Sequence, residues 1–222
     1  MIPLQLSWGV GQTSTVPLSH HVLRLDSADA ARIRAAFPSR FASDIDRVLA
    51  GTPDAEHPTS ASDIGAVAVD GETIAIPTRI YSPPPAEADL ARLTATQRLL
   101  LGCAYTRHHD GHLREASVRQ IIGSDASFVT PFVIQLLGEY VLEIVEFIHE
   151  QRGWIEAAVT RGFVQANPTF LALTRQRAMS YWDCYFRHRW PKRAAYPAIR
   201  VLDALHGLAN DASGRPLSER GS

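Results

Sequence analysis

From Thr94 to Leu208 apolar residues recur at helical spacing almost without interruption, and the runs are separated by residues that start or stop helices. "TATQRLLLGCAY" opens with Thr94 and Gln97 at capping-box spacing. "DGHLREASVRQIIG" begins at Asp110, a good N-cap, and stops at Gly123, with Leu113, Ala116, Ser117, Val118, Ile121 and Ile122 forming a core-facing stripe. Pro131 suits a first helical turn, and "FVIQLLGEYVLEIVEFIHEQ" then reads as one long helix running to Gly153. Further helices are expected near 155–165, 169–189 and 198–208. The pattern commits the chain to a mainly α fold, a globular multi-helix domain of helical hairpins.

The first ninety residues are different. An opening stretch of about twenty residues sets apolar positions among Gly, Ser, Thr and Pro, and reads as an edge strand or an ordered arm. "DSADAARIRAAF" is a helix starting at Asp26 and halted by Phe37-Pro38, and "SRFASDIDRVLAG" is a second ended by Gly51. After a polar connector, "IGAVAVDGETIAIPTRIYSPPP" sets two β-branched runs around Asp70-Gly71, the dipeptide of a type I′ hairpin. Pro77 suits an edge position. "SPPPAEAD" is a stiff spacer. The expected organisation is therefore a small N-terminal β-hairpin subdomain over 1–90, an α-helical domain over 91–209, and a disordered tail over 210–222.

With 222 residues and 45% hydrophobic content, the chain has material for a sizeable buried core. A formal net charge of −1 gives no overall pull towards nucleic acid or anionic lipid, so any charged partner must be drawn by a local patch. The start lacks a signal-peptide pattern and no uncharged window reaches membrane-spanning length. Cys103 and Cys184 lie in apolar helical patterns and read as reduced core thiols. The expectation is a cytoplasmic protein with no membrane association.

Two stretches carry chemistry. "TRHHDGHLRE" gathers three of the nine histidines beside an aspartate. In the long helix, Glu139, Glu143, Glu146 and Glu150 fall on one face, either solvated or supplying ligands. Glu146 and His149 have the Glu-x-x-His spacing of carboxylate-bridged metal bundles, though no second such pair exists. His108, His109, Asp110, His112, Glu146 and His149 are thus the candidate ligands for a divalent metal, the only cofactor the residues suggest.

The second stretch is "RQRAMSYWDCYFRHRWPKR". Between Phe170 and Arg200 the cations are Arg175, Arg177, Arg187, Arg189, Lys192, Arg193 and Arg200, against the single acid Asp183. Arginine interleaved with Tyr181, Trp182, Tyr185, Phe186 and Trp190 suits a protein hot spot or a stacking surface for single-stranded nucleic acid. It equally suits a core helix whose arginines reach solvent or the acidic stripe. The partner-binding candidates are Arg175, Arg177, Trp182, Arg187, Arg189, Trp190 and Arg193. Cys184 and His188 are four apart, but aromatic neighbours favour a packed thiol over a nucleophile. There is no nucleophile elbow and no phosphate-cradling loop, so no catalytic residue is assigned.

"LLLGCAYTRHHDGHLREASVRQI" resembles the helix-turn-helix unit of HEAT-like repeats, through Asp110 at the turn, Leu113-Arg114 and Ala116, within residues 97–122. The resemblance implies a helical hairpin whose turn carries Asp110 as a cap and the histidines on an exposed surface. Three functional readings follow. The first is a non-enzymatic interaction or scaffold protein that binds another protein or itself. The second is a metal-dependent enzyme with a His/Asp/Glu site. The third is single-stranded nucleic-acid binding through residues 175–193.

Overall fold

The computed structural model describes residues 27–55, 57–151, 153–154 and 158–210. The expected N-terminal arm, the Asp26 cap and residues 211–222 of the expected tail lie outside these residues.

Alanine and Ile33 carry the helix Ser27–Arg34 (α1), which ends before Phe37 because a residue preceding proline is pushed out of the α region. A 3₁₀ turn at Ser39–Phe41 leads into Ala42–Ala50 (α2), whose Ile45, Val48 and Leu49 share a buried face. Asp70 (φ 52°) and Gly71 (φ 80°) take the positive φ angles that a tight hairpin demands. They join Val67–Val69 (β1) to Glu72–Ile74 (β2) in antiparallel register, Val67 opposite Ile74. Pro77 lies beyond β2, and the "SPPP" spacer is held against the helices: Tyr105 Oη donates to the Pro83 carbonyl at 2.7 Å.

After Glu87–Ala91 (α3), Ala95–Tyr105 (α4) begins with the expected reciprocal capping box of Thr94 and Gln97. Gly111–Ile121 (α5) begins on Asp110, which accepts from the His112 backbone N–H at 2.8 Å. The two helices form a hairpin, packed so closely that a Cβ on Gly102 would sit 2.6 Å from Ile121 Cγ2. A glycine lets the backbones approach where alanine would collide.

The long helix expected from Phe132 to Gly153 is instead two helices, Thr130–Leu136 (α6) and Leu142–Glu150 (α7). Gly138 lies against the later helix that carries Thr174, where a Cβ would meet the Thr174 carbonyl at 3.2 Å. Val141 is extended (ψ 102°) and starts α7 afresh. Glu139 therefore leaves the acidic face that a continuous helix would have given it and turns inward. Only Glu143, Glu146 and Glu150 stay on α7.

Ala158–Ala166 (α8) and Pro168–Tyr181 (α9) follow, and α9 runs into a π-helical turn at Trp182–Phe186. Pro197–Asn210 (α10) packs on α7, α8 and α9. The result is mainly α, with ten α-helices and one two-stranded sheet among the described residues. Ile33, Ile45 and Ile80 share one continuous apolar core with Leu100, Phe132 and Leu202, so α1, α2 and the hairpin are packed onto the helices. Burial of each such side chain contributes about 1.5–3 kcal/mol. Among the described residues, no helix is long and apolar enough to cross a membrane.

Candidate functional site

The His-rich turn is a structural joint. His108 is buried at 3% exposure, and its Nδ1 accepts the Asp110 backbone N–H at 3.0 Å. Burial, with some repulsion from His109, pushes its pKa down to about 4, so the ring is neutral at physiological pH. The expectation that all three histidines line an exposed turn is corrected here. His109 and His112 are exposed, but the pairing of Ile80 with residues 107–109 covers His108. His109 stacks on Tyr81 at 5.1 Å. Asp110 is committed to the cap, and Glu146 on α7 accepts from Arg189 at 2.6 Å. His149 sits half-buried on the same helix. Among the described residues, no three His, Cys, Asp or Glu side chains are placed to hold a metal. The six candidate ligands are thus distributed between the turn and α7.

A site that sequence reasoning missed lies beneath this turn. The Glu139 carboxylate accepts from Arg107 at 2.6 Å and from Arg79 at 3.0 Å, and Arg114 Nε lies 3.0 Å from its other oxygen. Arg107 also donates to the Pro77 and Thr78 carbonyls, and Arg114 to those of His108 and His109. Burial alone would raise the Glu139 pKa, but Arg107, Arg79 and Arg114 together hold it below the ordinary carboxylate value. The network ties the linker after the hairpin, the α4–α5 turn and the α6–α7 break into one unit. Its sequence signal was absent, because Glu139 matches the helical spacing of the exposed acids.

The Arg/aromatic stretch divides into a packed half and an exposed half. Trp182 Nε1 donates to the Trp190 carbonyl at 2.9 Å, closing the turn after the π-helical segment. Phe186 stacks on buried Tyr196 at 5.5 Å, and Trp190 lies 5.4 Å from the same ring. These three aromatics are half-buried against the core. Most of the arginines are neutralised: Arg175 by Asp203, Arg177 by Asp63, Arg187 by Asp183 and Arg189 by Glu146. Arg187 and Arg189 also lie over the Trp182 and Trp190 rings. Lys192, Arg193 and Arg200 are exposed, and no acid among the described residues pairs with them. Cys184 is exposed, which corrects its reading as a core thiol, whereas Cys103 is buried.

No family model, curated protein or solved structure matches the chain. The surface itself must carry the functional reading.

Its central feature is a ladder of tyrosines. Tyr140 and Tyr181 rings are 6.1 Å apart, and Tyr181 and Tyr185 6.2 Å apart. Tyr140 (53% exposed) and Tyr185 (60%) are the large apolar side chains that stand out in solvent among the described residues. They come from places forty-five positions apart in sequence and meet through one ring. The helix break that turns Glu139 inward turns Tyr140 outward. On an unbroken helix Tyr140 would instead share the apolar face of Val133, Leu137 and Val141.

Proposed function

We propose that the protein is an interaction protein that uses the Tyr140, Tyr181, Tyr185 ladder to hold an acidic segment of another protein. The carrying observation is the convergence of the two exposed tyrosines, which would otherwise each cost the surface an unprotected apolar group. Tyrosine supplies a large rigid contact at low entropic cost, which suits a binding hot spot. Lys192, Arg193 and Arg200 supply the positive charge of the surrounding segment, and they match an acidic partner.

Neutralisation of four of the seven cations of this segment favours a protein over single-stranded nucleic acid. Nucleic-acid affinity grows with each free cation that displaces a counterion, and few are free here. The half-burial of Trp182 and Phe186 also removes two rings from any base-stacking platform. In this reading the α4–α5 hairpin, with its HEAT-like resemblance, is support for the surface rather than part of it.

The test is site-specific photo-crosslinking in cells, with a benzoyl-phenylalanine placed at position 140 or 185 and a control at exposed Arg161. A discrete protein adduct at both test positions and not at the control is expected, mapping to an acidic segment of the partner. Nucleic-acid adducts, or none at either position, would overturn the assignment.

A further inference from the structure

The end of α5, the start of α6, the end of α7 and the start of α8 leave between them a cleft of about 440 Å³, within the size range of small-ligand sites. Val129 and Val133 make its floor apolar and buried. The mouth opens to solvent, where Asp125 and Glu150 are exposed and Trp154 is half-buried. The Trp154 carbonyl accepts from the Thr160 hydroxyl at 2.9 Å, which ties that wall to α8. The cleft shares no residue with the tyrosine ladder.

Two features of the lining select the occupant. Asp125 and Glu150 bring two carboxylates to one cleft, and neither meets a cation among the described residues. Arg119, three positions before the lining residue Ile122, is held instead by Glu115 and over the Phe147 ring. Thr130 is only 6% exposed, yet its hydroxyl has no hydrogen-bond partner among the described residues. That hydroxyl is not sealed in the core, so it opens on the cleft that Thr130 lines. Buried polar groups are nearly always paired, and an unpaired one facing a cavity asks for a partner from it.

We propose that the cleft binds a small organic amine, its ammonium held by Asp125, Glu150 and Thr130 and its apolar body lying on Val129 and Val133. The carboxylates draw in the positive charge. The Thr130 hydroxyl supplies the acceptor that an ammonium loses when it leaves water, and the indole of Trp154 attracts a cation as no other ring does. An anion of the same shape would meet two like charges and, among the described lining residues, no Lys, Arg or His. A neutral molecule would fill the apolar floor and leave both carboxylates unanswered. The volume is more than one lysine side chain would fill, which favours a free amine over a residue of a docked protein.

The test is an NMR titration of the full chain, following the indole N–H of Trp154, with 2-phenylethylamine, 2-phenylethanol and phenylacetate as cationic, neutral and anionic probes of similar size. Saturable binding of the amine is expected, at least ~10-fold tighter than the alcohol, with the acid weaker still. Asp125→Asn with Glu150→Gln, both at exposed positions, should bring the amine down to the affinity of the alcohol. Thr130→Val deletes a hydroxyl with no partner in the fold, so it should weaken the amine without lowering the melting temperature. Equal affinity for amine and alcohol, or amine affinity unchanged in the Asp125/Glu150 double variant, would overturn the proposal. A blocked Gly-Lys-Gly peptide that binds where the amine does not would assign the cleft to a protein's lysine and overturn it as well.

Discussion

Asn167 and Ala68, ninety-nine positions apart, exchange two hydrogen bonds through one side-chain amide and one backbone unit. A third bond, from Asn167 Nδ2 to the Phe163 carbonyl at 2.9 Å, anchors the amide to α8. The hairpin is thereby fastened to the junction of α8 and α9.

Asn167→Ala removes all three bonds, of which the one to the Phe163 carbonyl is buried while Ala68 itself is exposed. A hydrogen bond contributes about 0.5–1.5 kcal/mol net and a buried acceptor left unpaired costs about 1–3 kcal/mol, so a fall in urea-unfolding stability of about 2 kcal/mol is expected. Asn167→Asp should fall between the two proteins. It keeps an acceptor for Ala68 N–H and sets a carboxylate against the Ala68 carbonyl.

Glu139→Gln preserves shape and deletes the charge that faces Arg79, Arg107 and Arg114. Breaking a buried ion pair from one side costs about 3–5 kcal/mol, because the partner is left charged and unpaired. Arg107→Met in the same background should restore part of that loss. Urea denaturation of the four-protein cycle measures the coupling, and strict additivity would refute a shared network.

Acid sensitivity should show two separable parts. His108 has a folded pKa of about 4 against 6.5 unfolded, so the unfolded chain binds the proton first and stability falls as pH drops from 6.5 to 4. Glu139 is depressed below 4.5, so its contribution is present above that value and is lost as pH falls through the lower folded pKa. His108→Asn, which can still accept from Asp110 N–H, should abolish the first slope and leave the second. Thermal melts across pH 3 to 8 would read both, and an unchanged slope between 6.5 and 4 in the variant would exclude His108 as its source.

Gly102→Ala should destabilise by about 1–3 kcal/mol even though alanine is the better helix former. The new Cβ meets Ile121 Cγ2, which is a fully buried branch with nowhere to rotate. Ile121→Ala in the same protein removes the colliding Cγ2, so the two substitutions together should cost less than the sum of their separate effects. Failure of both variants to alter the melting temperature would mean that α4 and α5 are further apart than described.

The exposed and packed halves of the aromatic segment should separate in stability. Tyr185→Ala is expected to change it by less than about 0.5 kcal/mol, as exposed positions do. Phe186→Ala should cost about 2–4 kcal/mol, since its ring packs on Tyr196. Partner binding should show the reverse order, with Tyr185 the more sensitive.

Local signals were legible in proportion to how local their causes are. The Thr94–Gln97 capping box, the Asp110 cap and the Asp70-Gly71 turn each depend on residues within four positions, and all stand where spacing put them. The α6–α7 break was not legible. Its cause is the approach of α9 to Gly138 and of three arginines to Glu139, all distant in sequence. The error propagated to the site: a continuous helix puts Glu139 in solvent and Tyr140 in the core, the inverse of what packing produces. The pairing of the arginine-rich stretch was legible only in part: Arg189 does reach the acidic stripe at Glu146, but the other partners were not legible. Composition counts its cations, but Asp63, Asp203 and Glu146, which neutralise three of them, come from other elements.

The clasp between Asn167 and Ala68 also sets an order of events during synthesis. β1 and β2 leave the ribosome some ninety residues before Asn167, and a two-stranded hairpin alone is marginally stable at best. At about 5–20 residues per second, that interval is roughly 5 to 20 s. For those seconds both edges of the nascent hairpin wait without the second half of the chain. Closure of its β1 edge waits for a residue that is synthesised some ninety positions after the strands themselves.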